Sequence, residues 1–239
     1  MKITPDAIIF LKIGPVSLNA TIVFTWVVMV LLVVGSWLIT RKLATGTTLS
    51  HWQNMLEVLV VGMQDQIRAI SRQEPSPYLP FVGTLFLFIA VSIILSIVPG
   101  YQPPTGSLST TAALAICVFI AVPIFGIAKK GFVGYLKYFF RPTPFMLPFN
   151  ILGEISRTIA LAVRLFGNVM SGTIIAGILL SIAPLLFPIV MVALGLLTGL
   201  IQAYIFAILS MVYIASATRV HDEREQKYEN KKKGVEQYG

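Results

Sequence analysis

Apolar positions along this chain come in blocks long enough to cross hydrocarbon, which takes roughly 18 residues of helix. The first block runs from Val16 to Thr40 and stops at Arg41-Lys42. Residues 50–72 differ in kind. Asn54, Glu57, Gln64, Asp65, Arg68 and Arg72 recur every three or four positions, with Trp52, Leu56, Leu59, Met63, Ile67 and Ile70 opposite them. That period predicts an amphipathic helix lying on a membrane surface. Glu74-Pro75-Ser76-Pro77 ends it, and a second block, 78–98, leads to the uncharged loop Pro99 to Gly106. The third block, 110–128, contains Pro123, a candidate kink, and stops at Lys129-Lys130. Basic and aromatic residues mix over 129–144, which predicts an interfacial loop.

Two longer blocks follow, Leu147 to Ala183 and Ile189 to Thr218, joined across Pro184 and Pro188. As helices at 1.5 Å per residue they would be about 55 and about 45 Å long. Hydrocarbon is only about 30 Å thick, so the first must tilt strongly or emerge into the interface. The expected fold is all-α: a polytopic membrane protein with about five membrane helices, the last two forming a long tilted hairpin over 147–218. The whole of 1–239 is expected to form a single membrane domain, with 219–239 a solvated tail.

Composition supports this and removes other classes. Mean hydropathy is +0.84 and only 12% of residues are charged. The net charge of +8 does not point to nucleic acid, because its basic residues gather beside the ends of the apolar blocks. Under the positive-inside rule this places Arg41-Lys42, Lys129-Lys130 and the C-terminal tail in the cytoplasm, and the N-terminus outside. Met1-Lys2 has no adjoining apolar core or cleavage site, so no cleaved signal peptide is read. Cys117 is the only cysteine, and His51 and His221 are the only histidines; no disulfide, metal site or cofactor is expected. An HExxH, a Ser-His pair or paired aspartates within the blocks would indicate an intramembrane enzyme, and none occurs.

Arg164 is the chemical anomaly. The 54 residues after it, Leu165 to Thr218, contain no Asp, Glu, Lys, Arg or His. A guanidinium stays charged at any accessible pH, and at a bilayer centre it costs at least about 2.5–3.5 kcal/mol. Arg157, Arg164, Asn168 and Ser171 share one helical face. On the next helix Gly195, Thr198, Gly199, Gln202 and Tyr213 form a small and polar stripe. Gly167, Gly172, Gly195 and Gly199 read as close-packing positions between helices. Glu154 is placed to pair with Arg157 at i, i+3, yet it lies about 15 Å from Arg164 along the axis. No other carboxylate occurs between Glu74 and the tail. Counting alone therefore puts the counter-charge of Arg164 on another protein.

Arg164-Leu165-Phe166-Gly167-Asn168 with Gly172 beyond, followed by Gln202-Ala203-Tyr204-Ile205-Phe206, resembles the paired signature of subunit a of F-type ATP synthases. The loop from Pro103 to Thr111 is similar as well, and the resemblance spans nearly the whole chain. It implies a static, non-catalytic subunit of the F0 sector in an energy-coupling membrane, the bacterial plasma membrane rather than the thylakoid. Its partners would be a c-subunit ring bearing membrane-embedded carboxylates, b-type peripheral stalk subunits and the bilayer. Two offset half-channels would load and unload ions on those carboxylates, with Arg164 as the essential group keeping them apart. Asn168, Ser171, Thr173, Thr198 and Gln202 would lie on the ion pathway, with Glu154 and Arg157 toward the cytoplasm.

This chain departs from that pattern at two points. Many members have a carboxylate where Thr173 stands, and some have histidine or glutamate where Gly195 stands. The coupling ion is read as H+ moving along water, with Na+ as the alternative. A self-contained anion carrier or channel is the competing class, and it would call for an internal repeat that the sequence lacks.

Overall fold

The computed structural model describes residues 9–13, 16–41, 51–98, 100–139, 147–182 and 187–219. Its helices are α1 (Ala20–Thr40), α2 (His51–Ser71), α3 (Leu79–Ile94), α4 (Leu108–Phe139), α5 (Leu147–Ile182) and α6 (Phe187–Arg219). Five of them are long and apolar enough to cross a membrane, and α2 is not among these. The tail from 220, the connection 183–186 and the stretch 140–146 lie outside the described residues.

Two local expectations change. The first helix begins at Ala20, not Val16. Val16–Asn19 is instead a strand, β2, paired antiparallel with β1, Ile9–Ile13. Asn19, a residue that favours helix N-caps, takes extended angles at the boundary. The predicted interfacial loop after Ala128 is helical as far as Phe139, with one break at Gly131, where φ is +72° and ψ 161°. Only glycine adopts such a conformation without a large steric penalty. The chain bends there, and Tyr135 comes back onto Gly126, where a Cβ would lie 2.7 Å from the Tyr135 ring. Beside the bend, the Lys130 ammonium donates to the Ala217 carbonyl in the last turn of α6, a favourable place for a cation at a helix C-terminus.

The surface helix α2 follows its sequence period. Ile67 is 2% exposed and packs with Met63 and Ile70 toward α3 and α6, while Glu57, Asp65 and Arg68 face outward. It ends at Arg72 in the left-handed region, with the Ser71 hydroxyl donating to the Ile67 carbonyl at 2.7 Å.

α6 is the centre of the bundle and touches α2, α3, α4 and α5. One core joins Leu85, Ile89 and Ile93 of α3 to Val118 of α4, Leu161 and Leu165 of α5, and Phe206 of α6. A second joins Ile67, Tyr78, Val82 and Val122 to Met211 and Ile214. Much of the remaining apolar surface is exposed, including Trp26, Val30 and Val33 of α1. Such a surface suits a lipid solvent, in which helices satisfy their own backbone groups.

α6 approaches α3 closely at Gly199. A Cβ at Gly199 would lie 2.6 Å from Ile93 Cγ2, and Ile93 is buried. Its β-branched side chain has little rotameric freedom in a helix. Gly199→Ala is therefore expected to destabilise the protein by about 1–3 kcal/mol, with partial recovery in the Gly199→Ala/Ile93→Ala pair. Gly195→Ala, with nothing within 4 Å of its added Cβ, should leave the stability of the purified chain within about 0.5 kcal/mol of wild type. Thermal unfolding in detergent measures all three, and equal losses at the two glycines would contradict this packing.

Candidate functional site

A strip along α5 carries the residues singled out by the sequence. Arg157, Ala160, Arg164, Gly167, Asn168 and Ser171 are all exposed, and their spacing puts them on one side of the helix. The other side, at Leu161, Ala162 and Leu165, is buried in the core. The helix is thus turned so that its apolar side anchors it and its charged side faces away from the chain. Arg164 points out of the bundle. No ion pair among the described residues includes it.

Glu154 and Arg157 do pair, with Oε1 and Nη1 3.7 Å apart, and the Arg157 guanidinium lies 5.8 Å from the centre of the Tyr213 ring. This leaves Arg157 with local partners and Arg164 with none of that kind. The expected stripe on α6 divides: Gly199 and Gln202 are buried, Tyr213 is half-buried, and Gly195 and Thr198 are exposed. Gln202 is 1% exposed, and its Oε1 accepts from Asn168 Nδ2 at 2.5 Å. That hydrogen bond ties the two arms of the hairpin together one turn beyond Arg164. The Gln202 Nε2 group is buried without a protein partner.

The glycines do not all serve one purpose. A Cβ at Gly167, Gly172 or Gly195 would meet nothing within 4 Å. Gly199 alone of the four makes a close contact, and it does so against α3 and not against its hairpin partner. Gly167 therefore leaves a smooth, open place beside Arg164 on the outward strip.

Between the arms of the hairpin and the 101–106 loop lies a cavity of about 650 Å³. Its polar lining comes from Ser96, Tyr101, Gln102, Asn168, Thr173, Ser181 and Thr198. The Thr173 and Thr198 hydroxyls donate to the carbonyls of Met170 at 2.8 Å and Leu194 at 2.9 Å, so their oxygens remain free to accept. Among the described residues, no Asp, Glu, Lys, Arg or His lines the space. Burial pushes the Tyr101 phenol up to about 12, opposed in part by the neighbouring Ser92 hydroxyl, so Tyr101 is neutral at ordinary pH. Gly172, Gly195 and Gly199 contribute walls without side chains. Arg164, Ser171, Glu154, Arg157 and Gln202 lie outside the lining, although Gln202 reaches it through Asn168.

The sequence reading missed Ser96, Tyr101 and Gln102 as members of this site. The uncharged Pro-Gly-Tyr-Gln-Pro-Pro-Thr-Gly loop carried the available signal, a polar stretch without charge between two apolar blocks. Nothing in its spacing said that it folds against α5.

The profile of the family described as ATP synthase A chain matches residues 22–215. Among similar proteins, ATP synthase subunit a 2 of Acaryochloris marina is 63% identical over 226 residues, covering 95% of this chain and 97% of that protein. ATP synthase subunit a of Albidiferax ferrireducens is 63% identical over 219 residues, covering 92% and 95%. ATP synthase subunit a 1 of Chlorobaculum parvum is 60% identical over 223 residues, covering 93% and 99%.

The Asn168–Gln202 bond has a measurable signature. A double-mutant cycle with Asn168→Ala and Gln202→Ala, read by unfolding in detergent, should give a coupling energy of about 0.5–1.7 kcal/mol, the range found for interhelical hydrogen bonds in membranes. Additive losses would show that the two amides do not bond in solution.

Proposed function

The chain belongs to the ATP synthase A chain family, and we propose that it is the static ion-translocating subunit of the F0 sector of a rotary ATP synthase. The outward-facing Arg164 carries this reading. A permanent cation on the exposed side of an apolar helix, with no ion pair to a carboxylate among the described residues, calls for an anion on a neighbouring protein. A c-ring presenting one membrane carboxylate after another supplies that anion.

The physical steps follow from the charge. Arg164 stabilises the ionised form of the ring carboxylate facing it, and so releases that carboxylate's ion. It also repels a cation that would otherwise pass directly from one half-channel to the other. Each elementary charge crossing the membrane is worth about 2.3 kcal/mol per 100 mV, and a leak would dissipate it without turning the ring. Gly167 and Ala160 keep the strip beside Arg164 low, so that a ring helix can pass close to the guanidinium.

The cavity lined by Asn168, Thr173 and Thr198 is assigned to the half-channel open to the outside, with the N-terminus outside and the C-terminus cytoplasmic in a bacterial plasma membrane. Glu154 and Arg157, about 10–15 Å along α5 from Arg164, lie toward the cytoplasmic half-channel. The b-type stalk subunits would hold the chain against the ring. The coupling ion is the proton, carried along water in the cavity. Na+ is kept as the second reading, because a wall of neutral oxygens serves a metal cation as well as it serves a water chain.

Arg164→Ala should abolish ATP-driven ion pumping while the complex still assembles. Coupled pumping at the wild-type rate would end this assignment. For the ion, millimolar NaCl should leave carbodiimide labelling of the ring carboxylate unchanged if the proton is carried, and should protect the carboxylate if Na+ is.

A further inference from the structure

Beside the 101–106 loop, three buried side-chain oxygens have no hydrogen-bond partner among the described residues: Asn19 Oδ1, Gln102 Oε1 and Thr105 Oγ1. All three belong to one end of the bundle. Thr105 is 0% exposed and sits in the 3-10 turn Pro104–Gly106, which packs at once on α1, α3, α4 and α5. Tyr101 lies edge-on to Phe24 of α1, ring centres 4.8 Å apart, and Asn19 is the residue that begins α1. Gln102, three residues before Thr105, lines the cavity. A buried polar group without a partner costs on the order of 1–3 kcal/mol, so several in one small region call for a common ligand.

The chemistry of that ligand is narrow. The orphaned atoms here are all oxygens, which accept toward a cation. The segment that carries Gln102 and Thr105 offers an anion no cation, because no Lys or Arg occurs between Arg72 and Lys129. A divalent ion is poorly served, because no Asp or Glu occurs between Glu74 and Glu154 to offset its dehydration. Neutral carbonyl and hydroxyl oxygens do suffice for a monovalent metal ion, as in channel filters built from such groups.

We propose that the 101–105 segment, with Asn19, forms a binding site for a monovalent metal cation of the Na+ class at the mouth of the cavity. Gln102 Oε1 and Thr105 Oγ1 act as ligands, and the pinned 3-10 turn holds them. The proposal rests on the second reading of the preceding section, in which the cavity admits Na+. It adds a resting place where that cation exchanges part of its water shell for protein oxygens before it reaches Asn168.

Amide hydrogen exchange in the assembled complex tests it, comparing NaCl with choline chloride at equal ionic strength. The Gly106 and Ser107 amides, which donate to Pro103 and Pro104, should exchange severalfold more slowly in Na+. Gln102→Leu and Thr105→Val should remove the difference between the salts, and Thr105→Ser should retain it. Arg164→Ala should also retain it while losing pumping, so a failure of the half-channel assignment and a failure of this site are told apart. Equal exchange in both salts for the wild-type complex would mean that water alone fills the site, and the proposal would be overturned. A difference that survives in both Gln102→Leu and Thr105→Val would overturn it too.

Discussion

In hydrocarbon a charge must be met by another charge or lifted into water, and the arrangement of α5 follows from that constraint. Arg164 cannot be neutralised by losing a proton, and no carboxylate among the described residues pairs with it. Leu165, next to it in sequence, and Leu161, three residues before it, are buried almost completely in the bundle. The helix is therefore committed to one rotation about its axis. Its apolar side is spent on α3, α4 and α6, and its charged side is left for a neighbour. The Asn168–Gln202 hydrogen bond braces that rotation by joining the arms of the hairpin.

α6 makes the brace effective. It meets α2, α3, α4 and α5, and three different contacts fix it along its length. Gly199 lets Ile93 seat against its backbone, Phe206 fills the core between α3, α4 and α5, and Lys130 caps its final turn. Small residues matter here for two separate reasons. Gly199 is small so that a helix of the same chain can approach, while Gly167 and Gly195 border open space.

Much of this was legible in the sequence, because lipid imposes long apolar runs and penalises isolated charges. The five spans, the amphipathic period of α2, the pairing of Glu154 with Arg157 and the lack of a counter-charge for Arg164 all rest on such rules. Other features were not legible. The strand at Val16–Asn19 is apolar like the helix it precedes, so hydropathy alone runs the two together. The helix beyond Ala128 carries the basic and aromatic residues of an interface, and that composition fits a loop or a helix equally. Its break at Gly131 depends on one backbone angle. Tyr101 and Gln102 join the cavity through a fold-back of the 99–107 loop, a long-range contact that no local period encodes.

The outward rotation of Arg164 also bears on how the protein comes to exist. A chain inserted alone would hold its guanidinium against lipid tails, at a cost of at least about 2.5–3.5 kcal/mol unless the side chain snorkels or the bilayer deforms. In the proposed assembly, a ring carboxylate facing Arg164 would relieve that penalty. Insertion and docking would then be thermodynamically linked, and the subunit without its partner would carry the energetic cost of the charge.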